Sequence, residues 1–368
     1  MQTPIPNLFM RGGTSRGPFF KAADLPADEA LRNRVLLAVM GSPDRRQIDG
    51  LGGANPLTSK VGIVDLGSTP GIDLTFLFAQ VTPDKDTVDT TPNCGNMLAA
   101  VVPFALETGT VQPQGETSTF RVLTLNTGMA CDITVETPGG HVRYDGDARI
   151  DGVPGTSAPI TINFLDTAGS VCSGLLPTGQ VRDTVRVDGI GQIDVTCIDN
   201  GMPLVMLRAA DVGRTGYETV AEMNADTELK GKLEALRLAC GQLMGLGDVS
   251  KKTYPKMTLI APPRAPGASL TTRSFIPHVC HDAIGVLAAV TVATACVLEG
   301  AITDGIASIS GGQRKVVSVE HPTGEFSVEL ETDAANPQNV TRAALLRTAR
   351  LIMRGEVMVP AAVWDGSK

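Results

Sequence analysis

Two stretches, 93–107 and 282–298, are apolar on nearly every face, and each opens on polar residues. A helix without a polar face has to be enclosed on all sides. Each stretch therefore demands a core of its own, and two such cores about 190 residues apart predict two domains of similar construction. In the first, Asn93 is the expected N-cap, Met97, Leu98, Val101, Val102, Phe104 and Leu106 the buried set, and Gly109 the stop. Pro103, which lacks an N–H, should kink it. In the second, His281 or Asp282 is the expected cap, Ile284, Val286, Leu287, Val290 and Val297 the core, and Gly300 the stop. The run 283–298 falls short of the roughly 20 residues a membrane span needs, so a buried helix is expected and no membrane partner.

Short apolar or alternating runs surround each helix and read as strands: IDLTFLFAQV from Ile72, FRVLTL from Phe120, IDVTCI from Ile193, LVML from Leu204, MTLIA from Met257 and FSVEL from Phe326. With 40 Gly and 24 Pro punctuating the chain, short strands and turns are favoured over a helical bundle, which makes the fold class α+β. Two further helices are amphipathic. Residues 28–40 line up Leu31, Val35, Leu36 and Val39, and residues 226–243 line up Leu229, Leu233, Leu236, Cys240 and Leu243. The polar stretch QVRDTVRVDGIGQ lies midway between the two apolar helices and is the expected boundary. It divides the chain into 1–185 and 186–368, with the last strand free to return to the first domain.

A net charge of -8 disfavours nucleic acid and acidic membranes but permits a local basic pocket for a small anion. The seven cysteines form no CxxC pair and no zinc-like spacing, so neither a disulfide framework nor a metal is indicated. The N-terminus MQTPIPNLFMRGG has no charged leader followed by an apolar run, and a cytoplasmic setting is expected.

The strongest local motif is TTPNCGNMLAA from Thr90. A Cys in the first turn of a buried helix, next to a Gly that admits close approach, is surrounded by unpaired N–H groups that stabilise a thiolate or a carboxylate. A Cys94 that only fills space satisfies the same spacing. MRGGTSRG from Met10 is a Gly-rich turn carrying Arg11, Thr14, Ser15 and Arg16; it can face an anion or be an ordinary turn, and it lacks the P-loop spacing. Lys60 sits where the loop IDGLGGANPLTS meets an apolar run. It becomes a base only if it folds beside Cys94 and partial burial disfavours its ammonium form. In the second half, DNGMP at 199–203 and TRSFIPHVCHDAIG from Thr272 offer Asn200, Gly201, Arg273, His278 and His281 for carboxylate binding. His278 and His281 lack a third ligand that would make them a metal site. SGGQRK at 310–315 reads as a solvated hairpin, and His141 and His321 as surface or strand-end residues.

Taken together, MRGGTSRG, LLAVMGSPDRRQIDGLGGANPLTSK, NCGNMLAAVVPFALETG, DARIDGVPG, LLPTG, CIDNGMP, LGDVSKK, TRSFIPH, IGVLAAVTVATAC, VEHPTGE and LLRTAR make the chain resemble, over essentially its whole length, the PrpF-like branch of the diaminopimelate epimerase fold. That branch contains methylaconitate isomerases and 4-oxalomesaconate tautomerases. LLPTG, CIDNGMP and RSFIPH look most like the tautomerases or Δ-isomerases of bacterial gallate and protocatechuate 4,5-cleavage pathways. The resemblance implies two similar domains, each a curved sheet wrapped around a central helix, with the active site in the cleft between them. It carries over Lys60 and Cys94 as the catalytic pair. Carboxylates would be held by Arg11, Thr14, Ser15, Asn93, Gly95, Asn96, Asn200, Met202, Arg273 and His278. Diaminopimelate epimerases open both helices on a Cys-Gly pair, whereas here the second start reads His281-Asp282-Ala283-Ile284-Gly285, which argues against two-thiol racemisation. Cys280 is close by in sequence but need not point into the site.

The implied reaction is a cofactor-free proton shift on a tricarboxylate, by tautomerisation or 1,3-allylic isomerisation. A conjugated keto group acidifies the C–H, and donors hold the dienolate. Expected partners are the small substrate and further copies of the chain, as a homodimer or a homotetramer. Three alternatives stand beside it: a 2-methylaconitate cis-trans isomerase, a non-catalytic polycarboxylate-binding accessory protein, and a metal-dependent lyase, for which no ligand spacing is present.

Overall fold

The computed structural model describes residues 1–165, 167–187, 189, 191–336 and 340–367. In chain order the elements are β1 (Gln2–Gly12), β2 (Ser15–Lys21), α1 (Glu29–Met40), β3 (Lys60–Leu66), β4 (Leu74–Val81), β5 (Val88–Asp89), α2 (Gly95–Leu98), α3 (Val101–Glu107), β6 (Thr117–Thr124), β7 (Met129–Glu136) and β8 (Ile160–Phe164). There follow β9 (Asp183–Val187), β10 (Gly191–Asp199), β11 (Pro203–Arg208), α4 (Val220–Ala225), α5 (Thr227–Leu243), β12 (Lys256–Ala261), β13 (Leu270–Phe275), α6 (Val286–Ala295), β14 (Arg314–His321), β15 (Gly324–Thr332), β16 (Val340–Arg347) and β17 (Ala349–Pro360). Among the described residues no helix is long and apolar enough to cross a membrane.

The chain divides into two compact units, Met1–Leu165 with Leu346–Lys368, and Asp166–Leu345. The transition therefore falls ahead of the boundary expected at 185, which lies inside a strand. QVRDTVRVDGIGQ is polar because β9 and β10 form a hairpin with one wet face, Val185 pairing with Ile193, not because it links domains. The C-terminal strand β17 pairs antiparallel along the whole of β1, from Gln2 opposite Pro360 to Gly12 opposite Ala349.

In the first unit the hairpin β1–β2 leads into β3, which runs parallel to β2 and antiparallel to β4; β4 is parallel to β6, and β6–β7–β8 is an antiparallel meander. Asp28 caps α1 through the Leu31 N–H, and Val35, Leu36, Val39 and Met40 are buried with Ile5, Phe20, Val61 and Trp364. The apolar helix is broken in two. Its interruption at Ala99–Ala100 falls where Pro103 dictates, because a proline ring collides with the carbonyl four residues before it. Met97, Leu98, Val101, Val102 and Phe104 are buried as expected, Leu106 only half so. The cap is Cys94 rather than Asn93.

The second unit repeats this plan. The hairpin β10–β11 leads into β12, parallel to β11 and antiparallel to β13; β13 is parallel to β14, and β14–β15–β16 is again antiparallel. Helix α6 is buried on every face from Ala288 to Ala295 and packs on β10, β11, β14 and β15. It starts at Val286 with Gly285 as cap, later than expected; before it the Ala283 N–H donates to His281 Nδ1. Asp226 caps α5 through the Leu229 N–H, and Leu229, Leu233, Leu236 and Cys240 are buried, whereas the final residue Leu243 is exposed.

Arg237 takes the buried position that the α5 pattern did not predict. It is fully buried, grips Glu234 with two parallel bonds of 2.7 and 2.8 Å, and donates to the carbonyls of Val249, Lys252 and Tyr254. The loop so tied leads directly into β12. Removing the guanidinium takes a donor from three carbonyls and a carboxylate, so Arg237→Met should lose about 3–5 kcal/mol in urea unfolding. A loss within about 0.5 kcal/mol, the range of an ordinary surface substitution, would refute this role.

Candidate active site

The first-unit site is built by a turn that has no side chains where it meets a helix start. A β-carbon on Gly12 would lie 2.3 Å from the Asn96 carbonyl oxygen, and one on Gly13 would lie 2.2 Å from Asn96 Oδ1. Gly13 also has φ +52°, and its N–H donates to the Thr348 carbonyl at 2.8 Å. The approach is fixed by Asn96 Nδ2, which donates to Thr14 Oγ1 at 2.9 Å. MRGGTSRG and NCGN are thus two sides of one structure.

Cys94 itself is half-buried and free, and its backbone is extended as the helix turns out of it. Its N–H donates to Asn93 Oδ1 at 2.8 Å, and no side chain caps α2. Below it the N–H groups of Gly95, Asn96 and Met97 precede the first intrahelical bond, Leu98 N–H to the Cys94 carbonyl. Asn126 ties the approach to this loop by donating to the carbonyls of Phe78 and Thr90.

Lys60 flanks the same turn on its other side. It opens β3, is 8% exposed, and its carbonyl oxygen leaves so little room that a β-carbon on Gly17 would sit 1.7 Å away. Segment 12–17 therefore touches Asn96 at one end and Lys60 at the other. The ammonium donates to Gln80 Oε1 at 2.5 Å and lies 4.9 Å from the centre of the Phe78 ring. Gln80 is held in turn by the carbonyls of Pro56, Ser59 and Val81. The loop before Lys60 is organised by buried Gln47, whose amide oxygen accepts from the Ala54 N–H and the Ser59 hydroxyl. Between the two flanks, Ser15 is 2% exposed and its hydroxyl has no hydrogen-bond partner. An orphaned buried hydroxyl is costly unless something else meets it.

Arg11 is less available than its sequence suggests. Its guanidinium donates to the Gly13 carbonyl, to both oxygens of Thr348 and to Ser157 Oγ, which ties the turn to the C-terminal strand. Burial, then the nearby Arg350, pull its pKa down, which fits a cation held by neutral acceptors.

In the second unit three of the expected carboxylate binders are engaged in packing. Asn200 is buried, accepts from Thr167 Oγ1 at 2.6 Å and donates to Thr294 Oγ1 at 2.8 Å. The carbonyls of Asn200 and Met202 both accept from Thr291 on α6, so DNGMP fastens the β10–β11 turn to the helix. Gly201, at φ +92°, faces Leu287 there. Arg273 is buried in β13 and donates to the carbonyls of Glu218 and Thr272. His278 is mostly exposed, with Nδ1 3.5 Å from Glu234. His281 Nδ1 accepts from the Ala283 N–H, and burial pulls its pKa down. Cys280 is buried, and its thiol is pushed up to about 11, chiefly by that burial. Among the described residues no cluster of three or more His, Cys, Asp or Glu is placed to hold a metal ion.

Gln80, Asn126 and Gln47 are the residues that sequence reasoning missed. Each is a side-chain amide whose partners lie on other segments, and no local pattern announces that.

Three curated relatives align along nearly all of the chain. It is 56% identical over 354 residues to the (4E)-oxalomesaconate Delta-isomerase of Novosphingobium sp. (strain KA1), covering 96% of this chain and 97% of that protein. To the 4-oxalomesaconate tautomerase of Pseudomonas putida (strain KT2440) it is 52% identical, covering 99% of each. The 2-methyl-aconitate isomerase of Shewanella oneidensis (strain MR-1) is more distant, at 34% identity with 98% of each covered. Among solved structures, a methylitaconate-delta-isomerase superposes with TM-score 0.86 at 36% identity, covering 98% of this chain and 97% of that one. A probable proline racemase from Agrobacterium radiobacter K84 shares the fold alone, with TM-score 0.50 at 12% identity, covering 98% and 94%. The racemase likeness supports the epimerase-type fold expected from the sequence. With residues 2–360 matching the PrpF protein family, the chain belongs to that family.

Proposed function

We propose that this protein is an isomerase that moves a proton on 4-oxalomesaconate, with Lys60 and Cys94 as the proton-handling pair. The carrying observation is that one glycine-rich turn, in a chain 56% and 52% identical to two relatives named for oxalomesaconate, has a buried lysine on one flank and, on the other, the helix start whose cap residue is the half-exposed Cys94. The 34% identity to the relative named for 2-methyl-aconitate ranks that substrate second.

In this reading Lys60 takes a proton from the carbon made acidic by the conjugated keto group. The electron pair spreads into a dienolate. Cys94 then delivers a proton at the far end of the conjugated system, giving the shifted alkene, or to the oxygen, giving the enol. Gln80 and Phe78 fix the direction of the Lys60 ammonium group. The Ser15 hydroxyl and the N–H groups at Gly95 and Asn96 hold the developing charge and a carboxylate. Asn93 and Thr14 act by shaping this helix start. No cofactor takes part. The seven free cysteines suit a reducing cytoplasm, and the reaction belongs to bacterial breakdown of gallate or protocatechuate by 4,5-cleavage. The working form is a homodimer or a homotetramer.

Purified Lys60→Ala and Cys94→Ser variants, assayed by the absorbance of oxalomesaconate, should each lose about 10²–10⁴-fold in kcat, as expected for removal of a general acid or base. Near-native turnover by both would overturn the assignment, and a higher kcat/KM on 2-methylaconitate in a head-to-head assay would move it to the second substrate.

Cys94 should also be the first thiol alkylated by iodoacetamide at about pH 8, where the thiolate is the reacting form. The other half-buried cysteine, Cys172, has its thiol pushed up to about 12, mainly by burial and then by Asp199. Peptide mapping should show that a saturated tricarboxylate slows alkylation of Cys94; equal rates with and without it would place the anion elsewhere.

A further inference from the structure

The repeat between the two units leaves one chemically exposed difference. In the first unit the strand that runs parallel to the hairpin opens on Lys60, and the apolar helix is capped by Cys94. In the second, the corresponding strand opens on Lys256, and the helix is capped by Gly285. A β-carbon built on Gly285 would lie 3.8 Å from Lys256 Nζ. The lysine thus reaches the cap position where this unit, unlike the first, provides no side chain.

Several lysines have an acceptor where Lys256 has none. Lys60 donates to Gln80, Lys21 to the Thr108 carbonyl, Lys232 to Glu228 and Lys252 to the Leu246 carbonyl. Lys256 is half-buried and has no hydrogen bond or ion pair among the described residues. Burial alone pulls its pKa down, and no carboxylate acts on it in opposition. After burial, its charge is the next cause that lowers the pKa of neighbouring His281, against an opposing effect of Asp282. At the same place α6 begins with no side-chain cap, which leaves the N–H groups of its first turn without intrahelical acceptors. A desolvated cation without a counter-ion is unfavourable unless an anion arrives.

We infer that Lys256 is a substrate-binding residue, whose ammonium group receives one carboxylate of the tricarboxylate at the start of α6. This rests on the tricarboxylate reading above and deepens it. The second unit, whose Asn200, Arg273 and Met202 are engaged in packing, thereby gains a carboxylate holder that the sequence did not single out. Arginine at this position would keep the charge, whereas methionine would keep only the stem.

The test is calorimetric titration of the full-length enzyme and its Lys256→Met, Lys256→Gln and Lys256→Arg variants with propane-1,2,3-tricarboxylate, which has no double bond to move. Oxalomesaconate kinetics and thermal melts run alongside. Losing a charge-assisted bond should weaken binding and raise KM by about 10–100-fold in the Met and Gln variants, with kcat close to native and unchanged melting. The Arg variant should recover most of the affinity. Native affinity in well-folded Met and Gln variants overturns the inference, and so does a fall in kcat at unchanged affinity, which would make Lys256 a proton-transfer group. Wild-type enzyme that binds the tricarboxylate through Lys256 but does not convert oxalomesaconate would refute the proposed reaction and leave this inference standing. Wild-type enzyme that binds no tricarboxylate would refute both.

Discussion

The first-unit site depends on close approach between a backbone turn and a helix start, and on glycine's lack of a side chain for making it. Gly12 and Gly13 lie against Asn96 at distances no β-carbon tolerates, and Gly17 lies against the Lys60 carbonyl in the same way. One short segment therefore fixes the spacing of two groups that arrive from distant parts of the chain. The single polar bond from Asn96 to Thr14 sets the register of that contact. Arg11 secures it from behind, through Thr348 on the segment that leads into β17. The return of the C-terminal strand to β1 is in this sense part of the site, since it holds the strand that ends in the turn.

The second unit solves the same packing problem by different means. Its turn is fastened to α6 by Thr291, which donates to two turn carbonyls, and by Asn200, which bonds Thr294. Polar residues that in isolation resemble ligand binders are here the fasteners. What the unit has in place of a cysteine at the cap position is a glycine beside a lysine without a counter-ion. Two units of one topology are thus chemically unequal, with the proposed acid–base pair in the first and an anion-receiving lysine inferred for the second.

Much of this architecture is legible in the sequence where the cause is local. Asp28 and Asp226 cap their helices because their carboxylates reach an N–H three residues on, and Pro103 dictates a break four residues before itself. Capping by Cys94 and Gly285 is not legible. At the first start Asn93 is a better cap by type, but its side chain bonds the Cys94 N–H instead; at the second, the Ala283 N–H donates to His281 Nδ1 and the helix begins only at Val286. Arg11, Arg273 and Asn200, expected as carboxylate binders, bond to protein groups here, and a buried polar residue announces only that it needs partners, not whether ligand or backbone supplies them. The approach of Lys256 to Gly285 joins segments about 30 residues apart and leaves no local mark in the sequence. The polar face of the β9–β10 hairpin likewise resembles a linker when read without its partner strand.

The division of labour between Lys60 and Cys94 is tested most directly by following substrate hydrogen in D2O with the Cys94→Ser enzyme. If Lys60 removes the proton and Cys94 returns one, NMR should show deuterium entering unreacted oxalomesaconate at the acidic carbon while little product forms. Product formation at the wild-type rate, or substrate that stays unlabelled while Lys60 is intact, would contradict that division.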